Sequence, residues 1–163
     1  MSPGRVGNEA GGNGLETTQL SNFTATSDNS GAKELWRGPW AGISRTNWIL
    51  TNIDKSPKIS DAKKTQYKGE AHFLRGLYYF NLVRLFGDVP WIDKQQTASD
   101  DLQVSRTSKD IVYQHIIDDF SDAASMLPAV YENTTDIGRA TKGAAFGLLA
   151  KVYLTLKRYN ETL

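Results

Sequence analysis

Cysteine is absent from this chain of 163 residues. That excludes a disulfide framework, a thiolate metal site and a cysteine nucleophile, and it leaves the redox compartment open. An excess of charge of one sign is also lacking. Nineteen Lys+Arg stand against 18 Asp+Glu, for a net +1, and no basic patch recurs at helical spacing. Neither feature suggests a nucleic-acid partner. No stretch approaches the ~20 consecutive apolar residues of a membrane-spanning helix. The opening residues, MSPGRVGNEAGGNG, contain no apolar run of the secretory-signal kind. Histidine is scarce: His72 and His115 are the only two, and neither has a Cys or second His at metal-ligand spacing. Both read as surface or hydrogen-bonded core residues. Gly11, Gly12 and Gly14 precede no strand-to-helix turn, so they make no phosphate loop. No catalytic residue, metal or cofactor is predicted.

What is present is enough for a core. Hydrophobic residues make up 39% of the chain, and its length sets one domain as the prior. The most informative stretch is residues 67–90, YKGEAHFLRGLYYFNLVRLFGDVP. Tyr67, Ala71, Leu74, Tyr78, Leu82 and Leu85 recur every three or four residues, which places them on one stripe of an α-helix. Ser60 fits its N-cap, and Gly87 with Pro90 fits its end. From Asp61 to Phe86 the helix would run roughly 40 Å. Phe73, Leu77, Tyr79 and Phe80 widen the stripe, so packing on more than one side is expected. The predicted burial includes Leu74 and Tyr78, with the last helix among the neighbours.

The rest divides into a lead and three more helices. Residues 1–35 are rich in Gly, Asn, Ser and Thr and read as loop-like. A first helix is predicted from Pro39, a favoured first-turn residue, to about Asp54. Residues 87–107 form a long loop, a length usually functional or poorly ordered. A third helix starts at Thr107 or Ser108, where Thr107 and Asp110 resemble a capping box, and ends at Leu127-Pro128. Thr141 caps a fourth helix that runs to about Lys157. Ala144, Ala145, Gly147 and Ala150 make that helix thin, and Leu148, Leu149, Val152, Tyr153 and Leu156 make its bulky face. Small residues at one crossing and aromatics at another are a loose hint of tetratricopeptide-like pairs, although no 34-residue period can be read.

Four motifs in order resemble the SusD/RagB family. They are W..I...N..L..I at Trp40, Ile43, Asn47, Leu50 and Ile53, then EAHFLRGLYYFNLVRLFGDVP at residues 70–90. Arg106 with IVYQHIIDDFSDAASMLP follows at residues 111–128, then GRATKGAAFGLLAKVYLTLKRY at residues 138–159. The resemblance covers residues 36–163. It implies an all-α fold of antiparallel, tetratricopeptide-like helix pairs. It also implies a non-enzymatic outer-membrane lipoprotein, lipid-anchored at the cell surface. Such a protein binds glycans or other nutrients for a SusC-like TonB-dependent transporter. Family members have a signal peptide and a lipidated Cys and run several hundred residues. The expectation is therefore that this chain is an internal part of a larger protein, the N-terminal helical portion without its C-terminal part. A complete small helical protein is the alternative. A helical-repeat adaptor that binds a protein or peptide is the second functional reading.

Sugar recognition needs flat aromatic faces beside planar polar groups. Trp36 and Trp91 sit at predicted element edges, whereas Trp40 and Trp48 lie on the first helix and read as core. In the family the pocket draws partly on the segment before the first matched helix. That segment offers Asn22, Phe23, Asp28 and Asn29 here. The ligand-binding candidates are therefore Phe23, Trp36, Trp91, Asn22 and Asp28. Asn47, Arg75, Arg84 and Asp88 read as structural, with Arg75 or Arg84 bonding Asp88 or the carbonyls of the turn at residues 87–90. Asp118, Asp119 and Asp122 alternate with Ile117, Phe120 and Ala124 and read as a solvated face. The triplets at Asn22, Asn133 and Asn160 fit the glycosylation sequon, a match that chance alone produces.

Overall fold

The computed structural model describes residues 14–26, 28–100 and 103–161. Gly11 and Gly12 of the lead and Thr162 of the third sequon lie outside them. Among the described residues the fold is all-α: α1 (Gly14–Ser21), α2 (Ser30–Asn52), α3 (Asp61–Phe86), α4 (Lys109–Met126) and α5 (Lys142–Thr155), with short 3₁₀ turns between. There is no strand there, only one antiparallel bridge between Val89 and Thr107. The chain forms two compact units that divide between Gly38 and Pro39.

In the first unit the described residues of the lead are largely helical, which their composition does not suggest. Polar contacts tie these residues together. The Thr18 hydroxyl donates to the Gly14 carbonyl at 2.7 Å, and Asn29 donates to Gln19 Oε1 at 3.0 Å. The Asn29 Oδ1 accepts the Ala32 N–H at 3.0 Å, as an N-cap does. Helix α2 therefore begins at Ser30, nine residues before the predicted start, and runs through Pro39. A proline inside a helix forfeits one bond to the carbonyl four residues back. Here that carbonyl belongs to Leu35, which is exposed, so water can replace the lost donor. The residues from Ala32 to Leu35 are strong helix formers and carry the helix up to it.

The second unit is built around α3 and α4. Ser60 caps α3 by accepting the Lys63 N–H. Gly87 ends it at φ 69°, a conformation that only glycine adopts without cost. Helix α3 packs along α4, α4 packs on α5, and α3 touches α5 only slightly. The core holds Tyr79, Phe80, Leu82, Val112, Ile116, Phe120 and Val152, all fully buried. Each such side chain contributes about 1.5–3 kcal/mol on removal from water.

The buried face of α3 differs from the predicted stripe. Ala71 and Leu82 are buried, but Leu74 is 39% exposed, Leu85 is exposed and Tyr78 only half-buried. The reason is the pair Gly69 and Gly76. A Cβ added at Gly69 would lie 2.9 Å from Met126 Cβ, and one at Gly76 would lie 3.1 Å from Phe120. Helix α4 seats its bulk over these two glycines, so the contact face runs through Gly69, Gly76, Phe80 and Val83 instead. Trp48 likewise corrects its core assignment, since it is 56% exposed. The buried face of α2 holds Gly42, Ile43, Thr46 and Asn47, and the next residue lies 100° further round.

The predicted cap of the third helix is also revised. Ser108 holds the N-cap position without a side-chain bond. The Lys109 N–H instead donates to Asp88 Oδ1 at 2.8 Å, while Thr107 pairs with Val89 through the bridge. Thr141 caps α5 as expected, accepting the Ala144 N–H at 3.2 Å.

Candidate functional site

A buried polar network organises the second unit. Arg75, on α3, is 7% exposed and Asp119, on α4, is 2% exposed. Arg75 grips Asp119 with two charge-assisted bonds, Nε to Oδ2 at 2.9 Å and Nη2 to Oδ1 at 2.7 Å. Its Nη1 donates to Asn47 Oδ1 at 2.9 Å and to the Asp93 carbonyl at 3.0 Å. His72 Nδ1 lies 2.7 Å from Asp119 Oδ1. Asp119 is thus no member of a solvated face, although Asp118 and Asp122 are exposed. Three residues after Ile116 and four before Ala123, it sits on the buried side of α4, where only an ionic partner makes a carboxylate tenable. Arg75, expected to bond Asp88 or the turn at residues 87–90, bonds Asp119, Asn47 and the Asp93 carbonyl instead. Arg84 also stays on its own helix, donating to the Phe80 carbonyl and to Asn81.

This network fixes the segment after α3. Asn47 Nδ2 donates to the Ile92 carbonyl at 2.8 Å. The Tyr79 hydroxyl accepts the Ile92 N–H at 2.8 Å and donates back to the Ile92 carbonyl at 3.2 Å. Burial pushes the Tyr79 phenol above its ordinary pKa, so it keeps the proton that it donates. The Gln95 N–H donates to Thr51 Oγ1, and Gln95 Oε1 accepts from Asn52.

Trp91, a predicted ligand contact, is held in this assembly. Its ring stacks on His115 at 4.4 Å and 13°, and tilts against Tyr79 at 4.2 Å. The Arg75 guanidinium lies 5.4 Å from its centroid. The stacking surface is thus largely taken up by protein. Two adjoining clefts open beside it. One, of about 230 Å³, is lined by Trp91, Ile92, Lys94, Gln96, Asp100 and Val104. The other, of about 210 Å³, is lined by Trp40, Ile43 and Ser44 and shares Ile92, Lys94 and Gln96.

The remaining candidates lie in the first unit. Phe23 is 97% exposed and follows α1 at φ 57°. Asn22 is exposed beside it, and its N–H donates to the Thr18 carbonyl. Asp28 is exposed, 3.9 Å from Lys33. Trp36 is half-buried on α2. Lys94, Gln96 and Asp100, which line the cleft, are not among the candidates from the sequence, although their loop is unusually long. The polar run after Trp91 was the available signal.

The scaffold and its motifs have counterparts among known proteins. A SusD-like family model, described as starch-binding associating with outer membrane, matches residues 7–154. A SusD-like protein of Formosa agariphila is 34% identical over 140 residues, covering 84% of this chain and 26% of that protein. A solved SusD-like protein of Bacteroides fragilis superposes with a TM-score of 0.81 at 32% identity, covering 88% of this chain and 28% of that one. A laminarin-binding SusD-like protein superposes with a TM-score of 0.84 at 31% identity, covering 91% of this chain and 32% of that one. The chain spans about a quarter of the length of the curated relatives it matches. With a family model matched over most of its residues and the same helical scaffold in solved relatives, this chain belongs to the SusD-like family.

Proposed function

We propose that the protein captures a neutral oligosaccharide at the bacterial outer-membrane surface, without catalysis, and delivers it to a SusC-like TonB-dependent transporter. Lipid anchoring at the cell surface belongs to the same reading. The observation that carries it is the likeness of the helical scaffold to a laminarin-binding protein, over 91% of this chain. The near-neutral charge agrees with an uncharged ligand, because no strong field steers a charged one.

Phe23 and Trp36 are the first ligand contacts in this reading, with Asn22 and Asp28 as nearby polar groups. Phe23 has a specific feature in its favour. A bulky residue at positive φ costs about 1–2 kcal/mol, and glycine commonly takes this place after a helix. An aromatic ring held there in solvent calls for a use outside the fold. Trp91 ranks lower, since its ring already packs on His115 and Tyr79.

Calorimetry of the native-length protein against laminarin, starch and a panel of plant and host glycans tests this. Phe23→Ala or Trp36→Ala should weaken binding and leave helical content intact. Failure to bind any glycan, with tight binding of a peptide, would replace this reading with a peptide-binding adaptor. Unchanged affinity in both variants would move the contacts away from Phe23 and Trp36.

A further inference from the structure

The 230 Å³ cleft beside Trp91 has the chemistry of a small sugar subsite, distinct from Phe23 and Trp36. Asp100 Oδ2 is occupied, accepting from the Thr97 N–H and from Thr97 Oγ1, each at 2.7 Å. These bonds turn the other oxygen, Oδ1, toward Lys94 Nζ at 3.4 Å. That separation is longer than a strong charge-assisted bond, so Oδ1 keeps acceptor capacity and Lys94 keeps protons to donate. Adjacent hydroxyls on a sugar ring are each donor and acceptor, and they complement a carboxylate set beside an ammonium. The Gln96 amide adds a planar polar group, and Ile92 and Val104 supply an apolar wall for ring C–H groups.

The wall is fixed before any ligand arrives. Ile92 is held on both backbone groups by Tyr79, and the Asp93 carbonyl is held by Arg75. Preorganisation of this kind spares a ligand the cost of ordering its site. The cleft is smaller than the ~300–1,000 Å³ of sites for drug-sized molecules, which suits a single ring. The 210 Å³ cleft that shares Ile92, Lys94 and Gln96 leaves room for a neighbouring unit.

We propose that Lys94, Gln96 and Asp100 form a subsite for one neutral sugar unit, read through a pair of adjacent hydroxyls. Asp93 and Asp100 both line the cleft, so an acidic sugar is disfavoured. The subsite rests on the glycan-binding reading above. The test uses the native-length protein and the tightest-binding glycan of the laminarin, starch and wider panel. Asp100→Asn retains an acceptor for Thr97, and Lys94→Ala removes an exposed side chain, so the fold should survive both. Asp100→Asn should weaken binding about tenfold, as expected for a hydrogen bond to a charged group. Lys94→Ala and Gln96→Ala should each weaken it a few-fold, with unchanged unfolding midpoints. Wild-type binding left intact by all three variants overturns the subsite and leaves the glycan reading standing. No wild-type binding to any glycan removes both.

Discussion

Arg75 and Arg84 lie nine residues apart on one helix, yet their replacement by alanine should differ sharply. Arg75→Ala strips two bonds from a carboxylate that is 2% exposed, one from Asn47 Oδ1 and one from the Asp93 carbonyl. Removing one partner of a buried pair costs about 3–5 kcal/mol, because the other charge remains in the interior. His72 still lies 2.7 Å from Asp119 and can offset part of the loss, which places the expected cost near the lower end, about 3 kcal/mol. Arg84 is exposed, and its bonds go to its own helix and to the face of Phe80 at 4.3 Å. Its removal should cost no more than about 1 kcal/mol. Urea unfolding at neutral pH, with the slope checked for constancy, measures both. Arg75→Met combined with Asp119→Ala should be less damaging than the sum of the single changes, by about 1–3 kcal/mol. Equal and small effects of the two arginine replacements, or strict additivity in the cycle, would refute the buried-network account.

Gly42→Ala should destabilise the protein by about 1–3 kcal/mol, since its Cβ would sit 2.2 Å from the Tyr78 ring; thermal unfolding checks it. Asp88→Ala removes the acceptor for the Lys109 N–H and should cost about 1 kcal/mol, with Asp88→Asn recovering most of it in the same melts. Burial alone would raise the Glu70 pKa, but bonds from Arg139, Gln66 and Tyr131 outweigh it and hold it below the ordinary carboxylate value. A lowered folded pKa gives stability that is present above the unfolded value, about 4.3, and lost as pH falls through the folded one. The stability difference between wild type and Glu70→Gln should therefore be full at pH 7 and shrink below about pH 4 in urea titrations.

The helices and several of their ends were legible because their signals are local. Ser60, Thr141 and Gly87 act within one turn of their own helix, and the predicted bounds of α3 match those observed. The partners of Arg75 were not legible, because Asp119 lies 44 residues away and comes within reach only once α4 has docked. Leu74 failed for a related reason. Hydrophobic spacing identifies a stripe, but close approach is decided by glycines, and Gly69 and Gly76 turn α3 toward α4 on a neighbouring face. The start of α2 was misplaced because Pro39 suits a first turn, whereas Asn29 supplies the cap ten residues earlier. At the candidate site, a place at a predicted element edge singled out Trp91, but its packing against His115 and Tyr79 depends on three separate elements.

The Tyr79 hydroxyl, which meets both backbone groups of Ile92, gives the segment after α3 a mooring that needs no neighbouring strand. Gln95 is tied to α2, and Thr107 is tied to Val89. Between these fixed ends the described residues from Gln96 to Arg106 carry no part of the core. Lengthening such a loop is inexpensive: each doubling adds only about 0.6 kcal/mol of closure entropy. Residues there can be inserted, deleted or exchanged while the helices keep their register. The rim of the proposed subsite is therefore free to diversify on an unchanging frame at little cost in stability.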